Sequence, residues 1–191
     1  MKKSSLSGFL ALGLTVCAAQ ADIIPTLDSI VSTGTNFQWN YTSNVTVDQI
    51  VNAGDYFTIY DFGGFLAGSN QQPVDWEFSA QLIGITPPTV LPKDNPNIPN
   101  LTWVYTGETP IAGQDFLGTF SVSSTQNGIR FDNFAAHATR ANNPGAGTPI
   151  DNIGTVAVPV PEMSALAPII GFCGLGVAGF ATSFWRRRRP S

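Results

Sequence analysis

The feature that most constrains this fold is a repeated alternation of apolar and polar side chains in short runs. In the run 36–41, Phe37, Trp39 and Tyr41 take every second position and polar residues lie between them. Such alternation, with many β-branched and aromatic residues, is typical of half-buried strands. Strands are predicted at 36–41, 45–51, 56–62, 74–83, 101–105, 116–122, 129–135 and 153–158. Because no helical period persists between the two chain ends, we expect an all-β fold, an antiparallel β-sandwich of Ig-like or jelly-roll type.

Turn and loop residues separate these runs. Asn127-Gly128 stands between two predicted strands, and this dipeptide favours a tight hairpin turn. The segment 87–100 is rich in proline and cannot be a central strand, because proline donates no ladder hydrogen bond. We expect this segment to be a crossover between sheets or a semi-rigid exposed loop.

The N-terminus has the three-part order of a secretory signal peptide. Lys2 and Lys3 precede an apolar stretch at 6–18, and Ala19 and Ala21 form an A-x-A cleavage site. We therefore predict a signal peptide at 1–21, removed by signal peptidase, and a mature chain that begins at Asp22.

The C-terminus predicts a membrane anchor. Met163 to Trp185 is almost free of charge, and 23 residues of helix would be about 34 Å long, enough to cross a bilayer. The basic cluster after it places the preceding body on the outer face by the positive-inside rule. The cluster consists of Arg186, Arg187, Arg188 and Arg189.

This tail resembles the PEP-CTERM sorting signal of exported bacterial proteins. The short motif matches at Val158, Pro159, Pro161 and Glu162, and Met163 stands where the family usually has its second proline. The resemblance implies processing by an exosortase, a membrane-embedded transpeptidase that cuts near the motif. It divides the chain into a signal peptide (1–21), a β-sandwich body (22–158) and a sorting signal (159–191, with the membrane helix at 163–185). A plain C-terminal anchor remains the alternative, since it needs only the helix and the arginines.

The charge of the body and the positions of the cysteines restrict its possible ligands and disulfides. Segment 22–162 holds all 13 acidic residues and only three basic ones, Lys93, Arg130 and Arg140, which leaves a net charge of −10. Such a body is not expected to bind nucleic acid, whose phosphates require basic patches. Cys17 and Cys173 both lie in the predicted signals, so a processed body would contain no disulfide.

Catalytic patterns are nearly absent, and we predict that the protein is not an enzyme and has no catalytic residues. His137 is the only histidine and is expected to be a surface residue at the end of a strand; no nucleophile-elbow motif accompanies it. Asp75 and Glu77, two positions apart in a predicted strand, have a spacing that a glycosidase pair could use. The simpler interpretation is that they form the solvated face of that strand.

Metal and sugar binding are weaker alternatives. No cofactor is predicted, although loop oxygens offer candidate calcium ligands, which include Asp55, Asp61, Asp94, Asn95, Asn97, Asp132 and Asn133. None matches a calcium-loop motif, and Asp and Asn also simply form turns. Trp39, Trp76 and Trp103 are expected in the core rather than on a sugar-binding platform.

The leading hypothesis is an exported, exosortase-processed structural protein of the cell surface or of an extracellular polysaccharide matrix (biofilm). It would be held in the membrane by its C-terminal helix before processing. The alternatives are a carbohydrate- or partner-binding module at the cell surface and, less favoured, a hydrolase.

Overall fold

A computed structural model describes residues 23–160, whose strands all pair antiparallel. The strands are β1 (Ile23–Thr33), β2 (Asn36–Val45), β3 (Gln49–Val51), β4 (Tyr56–Ile59), β5 (Trp76–Gln81), β6 (Asn100–Tyr105), β7 (Ile111–Ala112), β8 (Asp115–Ser124), β9 (Ile129–Arg140) and β10 (Pro149–Pro159). The all-β prediction is confirmed for these residues. The predicted signal peptide and membrane helix lie outside the described residues. Between 23 and 160 the structure contains no helix with the length and apolarity needed to cross a membrane.

The strands form two sheets. β1, β2 and β8 make a three-stranded sheet in that order. In the seven-stranded sheet, β5, β6, β4 and β9 are successive neighbours, and the last residues of β9 also pair with β3, which pairs with β7. β10 pairs with the other side of β9 along its whole length. The two sheets share one core of buried side chains.

Aromatic rings from both sheets meet at the centre of this core. The ring of Phe120, from β8 of the three-stranded sheet, lies 5.0 Å from Phe57, 5.1 Å from Trp76 and 5.7 Å from Trp103, edge-on to each. Those three rings belong to β4, β5 and β6 of the other sheet. With Trp39, also fully buried, they confirm that the tryptophans of the body are core residues. A solvent-facing tryptophan platform is therefore excluded for the described residues.

Local irregularities explain where the predicted strands were misplaced. β1 was not predicted, because a bulge between Leu27 and Ser29 breaks its alternation. The predicted strand 45–51 is divided between β2 and β3 by a turn in which Gln49 N donates to Thr46 O. The predicted strand 56–62 gives only β4, since Asp61 takes a left-handed backbone conformation (φ 55°).

The predicted hairpin at Asn127-Gly128 is wrong. β8 pairs with β2, whereas β9 pairs with β4, β3 and β10, so the segment between β8 and β9 connects the two sheets. The backbone of this connection is held by Trp39 from the core and by Val160, which follows β10, instead of by a hairpin ladder. Trp39 Nε1 donates to Gln126 O at 3.0 Å, and Val160 N donates to Gly128 O at 2.8 Å.

The proline-rich segment is not a crossover between sheets, because β5 and β6, which it connects, are neighbours in one sheet. Residues 82–99, called the strap below, lie over the outer face of the seven-stranded sheet. Thr58 Oγ1 donates to Ile85 O at 2.8 Å, and Lys93 N donates to Asn133 Oδ1 at 2.7 Å. The strap explains why Thr58 is fully buried although it points away from the core. The exposed-loop alternative is confirmed, because most residues of the strap are exposed, for example Leu91, and within it only Pro87 is buried.

We expect Phe120→Ala to lower the free energy of unfolding by about 3–5 kcal/mol, because it leaves a cavity among three rings. Phe116→Ala on the same strand is the matched control, since Phe116 is exposed. It should cost less than about 1 kcal/mol. Denaturant unfolding of both variants checks this, and equal losses would contradict the central role of the Phe120 ring.

Candidate functional site

His137 does not lie at a strand end on the open surface as predicted. It lies within β9, and the register places it opposite Tyr56 of β4 on one side and Asp151 of β10 on the other. Its ring stacks on that of Tyr56, with centroids 5.5 Å apart and planes 20° from parallel. Its Nδ1 lies 2.5 Å from Asp151 Oδ1, and only 22% of the side chain is exposed. The histidine is therefore fixed in position by both neighbouring strands.

The strap holds the other oxygen of Asp151. Thr89 donates to Asp151 Oδ2 from its hydroxyl at 2.6 Å and from its backbone N–H at 3.2 Å. Burial alone would raise the pKa of Asp151, but the hydrogen bonds from Thr89 and His137 outweigh it and lower this pKa below its ordinary value. Asp151 is thus ionised at neutral pH and accepts a hydrogen bond from Nδ1–H of His137. The other ring nitrogen of His137, Nε2, is left to face away from Asp151.

A groove of about 530 Å³ lies beside this histidine, between the strap and the ends of β9 and β10. Its polar and charged lining includes Thr89, Arg140 and Thr148 besides His137 and Asp151. A carboxylate-held imidazole is a competent proton acceptor and hydrogen-bonding group. A nucleophile within hydrogen-bond reach of Nε2 is not found among the described residues, so the pair does not form a complete catalytic triad there.

A second acid, Asp55, lies close to His137. Asp55 is buried at the start of β4 and accepts hydrogen bonds from Asn52 N at 2.8 Å and Thr139 Oγ1 at 3.4 Å. Burial raises the pKa of Asp55, and these hydrogen bonds and the charge of His137 oppose the rise only in part. Asp55 therefore caps the turn before β4 and lies apart from the other proposed calcium ligands.

The remaining calcium candidates cluster at the opposite end of the sheet, around Arg130. The guanidinium contacts the carboxylate of Asp132 and donates to Asp61 O at 2.7 Å. Asp61 Oδ1 accepts from Asn95 N at 2.9 Å, and Asp94 Oδ1 accepts from Asn100 Nδ2 at 3.0 Å. Burial, the largest influence, raises the pKa of Asp61.

This cluster is organised around a guanidinium and turn hydrogen bonds. Within 23–160, no group of three or more His, Cys, Asp or Glu side chains is arranged to share a metal ion. Asn133 Oδ1 is also already used, by Lys93 N, and Asn97 donates to Asn95 Oδ1. These contacts favour the turn-forming interpretation of the Asp and Asn residues.

The predicted carboxylate pair is not assembled. Asp75 lies before β5 with a left-handed backbone (φ 68°), and only Glu77 belongs to the strand. The two acids therefore do not share one strand face as the sequence spacing suggested. Both are exposed to solvent.

Only the beginning of the predicted sorting motif lies within the described residues. Val158 is buried in the core, and Pro159 ends β10 opposite Ile129. The other sorting residues lie outside the described range; they are Ala19, Ala21, Pro161, Glu162, Met163, Arg186, Arg187, Arg188 and Arg189.

Comparison with known proteins places the chain in no family, because no protein-family model, curated protein or solved structure matches it.

We expect Asp151→Asn to lower the free energy of unfolding by about 1.5 kcal/mol at neutral pH, because it weakens three charge-assisted hydrogen bonds, one from His137 and two from Thr89. Since the folded pKa of Asp151 is lowered, its contribution is present above the unfolded value of about 3.9 and is lost as the pH falls through the folded value. The difference between Asp151→Asn and the unaltered protein should therefore shrink below about pH 4.

Glu77→Gln is the matched control, because Glu77 is an exposed acid of the same sheet. It should change the stability by less than about 0.5 kcal/mol across the same pH range. A pH-independent difference for Asp151→Asn in denaturant unfolding would contradict the assignment of an ionised, hydrogen-bonded carboxylate.

Proposed function

We propose that this chain is an exported bacterial protein of the PEP-CTERM class. Its body is a non-catalytic β-sandwich, Ig-like or jelly-roll, of the cell surface or of an extracellular polysaccharide matrix. Signal peptidase removes the first 21 residues, the C-terminal helix anchors the intermediate, and an exosortase acts at the Pro161-Glu162-Met163 motif.

The observation that carries this proposal is the order of three tail features in the sequence. The last 34 residues contain, in this order, a Val-Pro/Pro-Glu motif, an apolar stretch of 23 residues and four consecutive arginines. Each feature alone is common, and a plain membrane anchor would account for the apolar stretch and the arginines together. The short motif, placed directly before the apolar stretch, favours the sorting signal.

The position of the motif relative to β10 supports the same division. β10 runs to Pro159, and the hydrogen bond from Val160 N to Gly128 O closes the backbone pairing one residue before Pro161. A cut near the motif would therefore leave the strands and the aromatic core of the body unchanged. Because Val158 and Pro159 are paired with β9 in the sheet, we expect the cut to fall after them.

A structural role suits the chemistry of the body. It combines a net charge of −10 over 22–162 with many Asn, Ser and Thr side chains, which keep a protein soluble and hydrogen-bond to glycans. A fold without disulfides depends on its core for stability, and the described body has a large aromatic one.

The groove beside His137 favours one second candidate, a carbohydrate- or partner-binding module. The His137 ring and the Arg140 guanidinium offer a hydrogen-bonding group and a cation to a polar ligand there. The tryptophan-platform version of this candidate is wrong for the body, because its three tryptophans are buried. The hydrolase alternative loses support, because Asp75 and Glu77 do not share a strand face.

The intact mass of the native protein from its own host tests this proposal, together with fractionation into membrane, surface and medium. We expect a chain that begins at Asp22 and ends within 161–163, with or without an added group, outside the membrane fraction. A Pro161→Ala, Glu162→Ala double variant should stay in the membrane with its tail, while Glu77→Gln should be processed normally. A native mass that still includes Arg186–Arg189 would contradict the sorting proposal and leave a plain anchored protein.

A further inference from the structure

Large apolar side chains are exposed beside the end of β10. Phe131 is 73% exposed, Ile129 54% and Ile24 37%. With Pro25 and Leu27 they line a groove of about 360 Å³ between β1 and the β9–β10 pair. We call Ile24, Ile129 and Phe131 the exit rim. Such a cluster is more than the scattered single apolar residues that a soluble surface normally carries.

The exit rim lies directly beside the end of β10. Ile129 pairs with Pro159, and Phe131 pairs with Ala157, so both residues flank the last residues of β10. Val160, the last residue described, is itself 38% exposed. Its hydrogen bond to Gly128 fixes the exit point next to Ile129.

The length of the connection restricts how far the body can lie from a membrane. The apolar stretch begins at Met163, three residues after Val160. Three extended residues span at most about 11 Å. If the stretch crosses the bilayer as proposed above, the bilayer surface therefore lies within that reach of the exit rim.

From this geometry we infer that the exit rim rests in the interface of the bilayer in which the uncleaved tail is anchored. The inference rests on the proposed membrane anchor and adds the surface of the body that faces the lipid. The tether favours lipid over a second copy of the chain, because it holds the rim beside a bilayer at all times before cleavage.

The contact is apolar and depends on the tether. Arg130, between Ile129 and Phe131, is engaged by Asp61 and Asp132, and the body carries a net charge of −10 over 22–162. Attraction to anionic lipid therefore contributes little, and three inserted side chains alone give weak, reversible binding. Removal of the tail thus also releases the body from the lipid.

A fluorophore placed on the rim tests this inference. The mature body has no cysteine, so a chain of residues 22–191 with Cys173→Ala and Phe131→Cys carries a single label, the environment-sensitive dye NBD. The labelled chain is reconstituted into phosphatidylcholine vesicles, with and without a nitroxide on the upper acyl chain. Flotation of the vesicles first establishes that the chain is anchored.

Val74→Cys is the matched control. Val74 is 86% exposed and precedes β5, whose first residue, Trp76, pairs with Tyr105 at the end of the sheet opposite Pro159. Because interfacial apolar side chains lie about 5–10 Å into the headgroup boundary, quenching at 131 should exceed that at 74 at least about threefold.

Equal quenching at the two positions in a chain that floats with the vesicles would overturn the inference and leave the anchor intact. Shielding of the label at 131 only at high protein concentration would overturn it too, because a second copy of the chain would then cover the rim. A chain that does not float would remove the anchor and the rim contact together.

Discussion

The ring of Phe120 is the contact on which the rest of this structure depends. It is the side chain through which the three-stranded sheet enters the aromatic cluster of Phe57, Trp76 and Trp103 in the other sheet. Edge-on ring pairs add about 0.5–1.5 kcal/mol each beyond the area that they bury. Because both cysteines lie outside the body, no covalent bridge shares this task. The packing of the two sheets, which also positions β10, therefore depends on how well the core side chains fit together.

The outer face of the seven-stranded sheet is organised by polar contacts instead. The strap covers it and is held where side chains of the sheet have the chemistry to bind it: Thr58 at Ile85, Asp151 at Thr89 and Asn133 at Lys93. The hydrogen bonds from Thr89 are the strongest of these, because their acceptor, the Asp151 carboxylate, is ionised. His137 owes its fixed orientation to the same carboxylate, so the groove beside it exists only while the strap is in place.

Sequence patterns predicted the strands that show a regular local alternation. They failed where the structure depends on which distant segments pair. Alternation at 36–41 gave β2 and its buried tryptophan, and the same reasoning gave an all-β body. It missed β1 because of the bulge at Leu27, and it assigned Asn127-Gly128 to a hairpin because local turn chemistry does not reveal which sheet a strand joins. The His137–Asp151 pair was missed for a related reason. The predicted strands 129–135 and 153–158 do pair, with Ala135 opposite Ile153, and extending that register by two residues would have placed Asp151 opposite His137.

The central claim is that the strands and the aromatic core within 23–160 fold without the segment proposed for removal. The most direct test compares the unfolding free energy of chains 22–160 and 22–191 in the same mild detergent. Both should unfold cooperatively with free energies equal to within about 0.5 kcal/mol, as expected when a distant segment adds no packing. A shorter chain that loses cooperative unfolding, or is less stable by more than about 2 kcal/mol, would contradict the claim, because the tail would then be part of the fold.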